Sequence, residues 1–250
     1  GGVTIANGTS IKIINCVIRA SSNGIGFWRT VGGDSEIYGN IIYDNGWVGP
    51  DRRHGHGLYT QNASGDYKRI IDNLFIDNYA RAVQAYGSSK TKVEKYIFEG
   101  NYFSSSDHVT NVLFGGTSPE CGNRDARFSD NLHYQATLRV GYNCGAEDVT
   151  IKDTTFLRGG WQPHPDSRNV TNQYDPNRAN LVLIQPTKNA EEIPSDLSKF
   201  LKTGDRFRIQ AAEDFFGPAV VEGEYAGGEF QVPVGGKEAS AFVIMRTPGG

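Results

Sequence analysis

Residues 49–73, GPDRRHGHGLYTQNASGDYKRIIDN, gather two histidines, four basic residues and three aspartates around a short apolar–polar alternation. An imidazole can move a proton near neutral pH, a guanidinium can hold and neutralise an anion, and a phenol can return a proton to a departing oxygen. His56, Arg81, His54 and Tyr59 are on these grounds the candidate catalytic groups. Asp51, Arg52, Arg53, Gln61, Gln84, Tyr86 and Arg139 are candidate groups for holding a ligand. Together they suit acid–base work on an anionic, hydroxyl-rich molecule. Each also has a plain structural use. His56 can bond backbone where a strand begins, Arg52 and Arg53 can form a solvated loop face, and Tyr59 and Tyr86 can be surface rings stacked between neighbouring strands. Asp51, Asp66 and Asp72 are candidate ligands for calcium, without the ligand spacing of an EF-hand loop. His133 shares the phase of Phe75 and Phe103 and reads as a core residue.

The elements that must position these groups show in a repeat. Six segments align: IKIINCVI (11–18), EIYGNIIYDN (36–45), RIIDNLFIDN (69–78), YIFEGNYFSS (96–105), ARFSDNLHYQ (126–135) and VTIKDTTFLR (149–158). Their reference positions are Asn15, Asn40, Asn73, Asn101, Asn131 and Thr154, with apolar residues in fixed phase on either side of most. Between them lies a second strand: NGIGFW (23–28), HGLYTQ (56–61), RAVQAYG (81–87), NVLFGG (111–116) and TLRVGY (137–142). Two strands with their turns at this period are the signature of one parallel β-helix coil, which buries its apolar face only by stacking on its neighbours. An asparagine at one corner of successive coils can donate to one neighbour, accept from the next and tolerate left-handed backbone. The competing reading makes DN and GN hairpin turns of an antiparallel sandwich; the fixed phase favours the helix. In this register Asn23, His56 and Arg81 are equivalent, and Tyr59, Gln84, Leu113 and Arg139 form an adjacent outward track. Trp28, Gln61 and Tyr86 form another. The loop WVGPDRRHGHG makes its coil the longest and places its charges beside these tracks.

The expected fold is therefore all-β, a right-handed parallel β-helix followed by a small antiparallel β module. The coils occupy 1–160. Residues 161–180, rich in proline and polar residues, read as a loop or linker. Residues 181–250 carry short alternating strands joined by glycine turns, with one short helical turn within SDLSKFL (195–201). With 31 glycines, 10 prolines, 12 tyrosines and 13 phenylalanines, the composition suits short strands punctuated by turns.

The coils, over about residues 3–158, and the tail GDRFRIQAAEDFFGPAVVEGEYAGG…VPV…AFVIMR resemble the right-handed parallel β-helix superfamily that includes the pectate lyases, with the C-terminal β module of some bacterial exported members. The resemblance implies a polysaccharide partner and a carbohydrate-active enzyme, foremost a lyase acting on an acidic glycan through a basic residue, with calcium as the candidate cofactor. It equally covers non-catalytic members, such as adhesins and surface or fibre subunits, because fold does not choose among these functions. Polygalacturonases of the group carry a Gly-His-Gly motif, matched here by Gly55, His56 and Gly57. They also carry an adjacent aspartate pair and an Arg-x-Lys signature. This chain has no Asp-Asp pair, and its IKD at 151–153 lacks the arginine. Inverting hydrolysis needs two carboxylates about 6.5–9.5 Å apart, so that activity is disfavoured.

A net charge of −3 with scattered lysines and arginines gives no basic groove for nucleic acid. No apolar run is long enough for a membrane-spanning helix. The chain starts without methionine or leader and reads as a processed or truncated product, with export to the periplasm or cell exterior expected. An N-terminal portion or second subunit is expected to cap the first coil. Export permits a disulfide between Cys121 and Cys144, while Cys16 reads as a small apolar filler.

Overall fold

A computed structural model describes residues 2–63, 65–104, 110–117, 122–157, 166–185 and 190–247. The chain divides into two compact units, Gly1–Gly160 and Trp161–Gly250. The first is a parallel β-helix. Three parallel sheets, each of six strands, are formed as successive coils add one strand to each. Sheet 1 contains Val3–Ile5, Ile25–Phe27, His56–Thr60, Arg81–Gly87, Thr110–Gly116 and Thr137–Val140. Sheet 2 runs from Lys12–Ile14 to Glu147–Lys152, and sheet 3 from Val17–Arg19 to Thr155–Leu157.

Inward side chains form columns of like residues along the register. Sheet 2 stacks Ile13, Ile37, Ile70, Phe98, Phe128 and Ile151, with Phe98 and Phe128 parallel at 4.7 Å. Sheet 3 stacks Ile18, Ile42, Phe75, Phe103, His133 and Phe156. His133 is fully buried between the rings of Phe103 and Phe156, at 4.8 and 4.6 Å, as its phase in the repeat predicts. Thr60 interrupts the apolar interior of sheet 1, and its hydroxyl meets the buried Tyr96 hydroxyl at 2.9 Å.

The asparagine corner lies between sheets 2 and 3. Asn40, Asn73, Asn101 and Asn131 are buried in one ladder. Each amide Nδ2 of the first three donates to Oδ1 of the next, at 2.9, 3.0 and 3.0 Å. The same Oδ1 also accepts the preceding asparagine's backbone N–H, at 3.0 Å each time. Coil 1 departs from the expected register by one residue. Ile13, not Lys12, pairs with Ile37, so the ladder slot falls on Cys16, whose N–H donates to Asn40 Oδ1 at 2.9 Å. Asn15 instead takes the left-handed position that Gly39, Asp72, Gly100, Asp130 and Asp153 occupy in later coils. The dipeptides GN and DN thus divide the labour. The first residue makes the left-handed turn and the second makes the ladder.

The second unit is a five-stranded antiparallel sheet in the order Asp166–Thr171, Arg178–Ile184, Ala239–Thr247, Arg206–Ala211 and Val221–Glu224. A separate pair joins Glu192–Asp196 to Glu229–Pro233. Leu181, Leu183, Ile193, Phe207, Ile209 and Phe242 belong to its buried core. The segment 161–180 is not simply a linker, since Asp166–Thr171 pairs along its whole length with Arg178–Ile184. Its six residues, DSRNVT, carry little apolar signal because they form the edge of the sheet. The turn expected within 195–201 is present, with Leu201 N bonded to Leu197 O at 2.8 Å, and it follows a strand that ends at Asp196.

Candidate functional site

A cleft of about 760 Å³ opens on the outer side of sheet 1. Its lining includes Arg52, Arg53, His54, His56, Arg81, Gln84 and Tyr86, all expected from the sequence, and also Gly55, Tyr79, Ala80, Leu113 and Tyr142. His56 and Arg81 are direct register partners on neighbouring coils. Asn23 completes their row, its Oδ1 accepting the His56 backbone N–H at 3.0 Å. Tyr59, Gln84, Leu113 and Arg139 follow each other along the adjacent track.

The rim is a small hairpin. Trp47–Val48 pairs antiparallel with Arg53–His54. The His54 ring lies on Trp47 at 5.0 Å, and its Nε2 meets Asp51 Oδ1 at 2.8 Å. That bond holds the Asp51 carboxyl below its ordinary range. Asp51 also lies 3.6 Å from Arg52 Nε, so it organises the rim and does not line the cleft.

Both glycines of Gly55-His56-Gly57 have backbone reasons. Gly55 has a φ of 83°, and a Cβ there would lie 2.1 Å from Ser22 O. A Cβ on Gly57 would lie 2.7 Å from Ala82 O and 2.9 Å from the Asn78 amide. The coils approach too closely for any other residue, so the tripeptide reflects the scaffold as well as any chemistry.

Burial, then Arg81, then Arg52 hold the His56 imidazole down at about 4. It is therefore neutral at neutral pH. Burial also lowers Arg81 from its ordinary value, which leaves a guanidinium charged. Arg81 Nη1 donates to Gln84 Oε1 at 2.6 Å. His56 Nδ1 and Arg81 Nε are buried, with no hydrogen-bond partner among the described residues.

Tyr59 stands outside the cleft lining. Its ring meets His56 edge-on at 5.5 Å and Trp28 at 5.2 Å, and its hydroxyl bonds Gln84. Burial raises its pKa, so it remains a neutral phenol. Gln61 turns to its neighbour, donating to Tyr86 O at 3.1 Å. The Arg139 guanidinium covers Tyr142 at 4.7 Å, and Tyr142 in turn faces Tyr86 at 6.2 Å. Tyr142 was missed as a cleft residue because it lies beyond the strand Thr137–Val140, where alternation no longer fixes which side chains face out. Tyr79 and Ala80 were hidden in a turn.

The candidate calcium ligands do not converge. Asp51 binds His54, Asp66 Oδ2 accepts the Gly33 N–H at 2.8 Å, and Asp72 takes a left-handed corner. Among the described residues no group of three His, Cys, Asp or Glu is placed to hold a metal. Cys16 is a free thiol and Cys144 is disulfide-bonded; Cys121, the expected partner, lies outside the described residues. No described helix is long and apolar enough to cross a membrane. Comparison with models of protein families, with curated proteins and with solved structures yields no match.

Proposed function

We propose that the β-helix unit binds an acidic glycan in the sheet 1 cleft and cleaves it by β-elimination, as the pectate-lyase-like resemblance implies. One observation carries this reading. Arg52, Arg53 and Arg81 converge on a cleft whose lining, among the described residues, contains no carboxylate. An anionic ligand is favoured there, and hydrolysis through a carboxylate pair has no groups to use.

In the proposed step Arg81, with Arg52, pairs the uronate carboxylate and makes the adjacent C5 proton more acidic. Neutral His56 takes that proton, the C5 electron pair forms the C4–C5 double bond, and the C4–O bond breaks. In this step Tyr86, one of three phenols on the lining with Tyr79 and Tyr142, protonates the departing oxygen. Tyr59 acts at one remove, positioning His56 and Gln84. Export to the periplasm or exterior accompanies this reading, and the disulfide at Cys144 supports it.

A second reading is a glycan-binding β-helix without turnover. The low basicity of His56 favours it, since a base held near 4 is a weak acceptor for a carbon acid. The deciding experiment incubates the whole chain with galacturonate, mannuronate–guluronate and glucuronate-containing glycans, with and without calcium. Ultraviolet absorbance reports the unsaturated uronate product. Absorbance that disappears in H56A and R81A, with folding intact, supports β-elimination. Binding without product supports the second reading.

A further inference from the structure

We infer that Arg81, His56 and Arg52 form a subsite for one anionic group, and that filling it puts a proton on His56. The inference rests on the acidic-glycan reading of the cleft and adds a proton linkage to it. The geometry is specific. His56 and Arg81 are register partners, one coil step of about 4.8 Å apart. Gln84 grips one Nη of Arg81, fixing the plane of the guanidinium. Among the described residues Arg81 Nε and His56 Nδ1 have no partner and are buried, an uncommon state for side-chain nitrogens.

The groups around His56 are few. Arg81 stands on the following coil and Arg52 on the rim. Tyr59 lies edge-on from the same strand, and the neutral Asn23 lies on the preceding coil. On the rim, Asp51 is already engaged by His54 and close to Arg52. The cleft therefore presents cations to a neutral imidazole, with no anion among its described lining residues.

Burial and the two arginines keep His56 unprotonated at neutral pH in the free protein. An anion paired to Arg81 offsets both cationic influences and adds its own attraction for a proton. At contact distance a unit charge is enough to return the imidazole to the neutral range. Linkage then requires binding to take up a proton, and affinity to rise by up to about tenfold per pH unit as pH falls from about 7 to 5. His56 protonated in this way cannot accept the C5 proton, so elimination runs only through the fraction of bound protein in which His56 stays neutral.

Calorimetric titration of the whole chain with trigalacturonate, D-glucuronate and inorganic sulfate, in buffers of different ionisation enthalpy, measures the uptake directly. The expected result is binding of at least one anion with uptake approaching one proton, a matching pH dependence, and no binding of neutral maltotriose. H56Q is expected to bind without uptake and with no pH dependence over that range. R81Q is expected to lose binding, while R81K, which keeps the charge but loses the fork, retains part of it. Melting temperatures establish that each variant folds. Absence of binding by all three anions, binding without proton uptake, or uptake that persists in H56Q would overturn the inference. Proton uptake without unsaturated product upholds the subsite and sinks only the β-elimination reading.

Discussion

The amide of Asn73 donates to Asn101 Oδ1 at 3.0 Å while its own Oδ1 accepts from Asn40 twice, so each residue completes its neighbours' bonding. Nδ2 of Asn73 also reaches Ile37 O at 2.9 Å. N73A removes the acceptor for a buried N–H on Asn40 and leaves it without access to water. A loss of about 2–4 kcal/mol is expected, since each stranded buried group costs about 1–3 kcal/mol. N15A tests a different matter, the left-handed backbone, and is expected to cost about 1 kcal/mol. Denaturant melts of the two variants separate the roles; equal losses would contradict the one-residue offset of coil 1.

The same offset predicts that C16N extends the ladder. Its amide can donate to Asn40 Oδ1, which already accepts from the residue 16 N–H. A gain of about 0.5–1.5 kcal/mol in unfolding free energy is expected, the net value of one well-made bond. A destabilised C16N would show that the first coil lacks room for the amide.

Lys68 is buried at 1% exposure, and its ammonium donates to Phe27 O, Trp28 O and Gln61 O at 3.2, 2.6 and 2.6 Å. Burial lowers its pKa from 10.5 to about 7. Because the folded value is depressed, the unfolded chain binds more protons between pH 7 and 10.5. The Lys68 contribution is thus fully present above the upper limit and lost as pH falls through the lower one. Stability of the wild type relative to K68M is expected to increase across that window and to level off below it. Denaturation midpoints measured at matched salt give the comparison, and a flat difference would show that the three carbonyls hold the ammonium fully charged.

Most of the scaffold was legible because stacking forces one phase on every coil. Ile37, Ile70, Phe98 and Phe128 repeat with the asparagines, and that pattern alone gave the sheets their register. Coil 1 misled because Asn15 resembles the ladder residue yet supplies the turn before it. A second ladder, in which Asn45 Nδ2 donates to Asn78 Oδ1 at 2.9 Å, was present in the text as the second DN of two repeats. It was missed because later coils place other residues there, such as Ala136 after the left-handed Gln135. The cleft was legible in its rows, His56 beside Arg81 and Tyr59 beside Gln84, since period-two alternation fixes which side chains face out. Its fine assignment was not. Whether Tyr59 lines the cleft or supports it depends on ring packing against Trp28 and His56, which spacing does not encode.

Asp51 competes with any bound anion for Arg52, its Oδ2 lying 3.6 Å from Nε. D51N removes that competitor while leaving an oxygen for His54. Anion affinity is expected to rise a few-fold at low salt and to return to the wild-type value at high salt, because exposed charges are screened within about 8 Å at physiological ionic strength. A D51N variant that binds more weakly at every salt concentration would show that the rim's shape matters more than its charge.

Gln84 offers the sharpest test of the cleft, because it separates stability from binding. Its Oε1 takes one Nη of Arg81 at 2.6 Å, and its side chain also bonds the Tyr59 hydroxyl. In Q84L both bonds are lost, so Arg81 loses its fixed plane and anion affinity falls moderately. In Q84E the same position carries a carboxylate, which forms a charge-assisted bond with Arg81 and occupies the guanidinium that the ligand needs. Such bonds contribute about 1.5–3 kcal/mol, so Q84E is expected to weaken anion binding by roughly ten- to a hundred-fold. It should nevertheless melt no lower than Q84L, because the new pair forms within the protein. The two variants therefore rank oppositely in the two measurements. If Q84E binds uronates or sulfate as well as the wild type does, Arg81 is not the group that receives the anion.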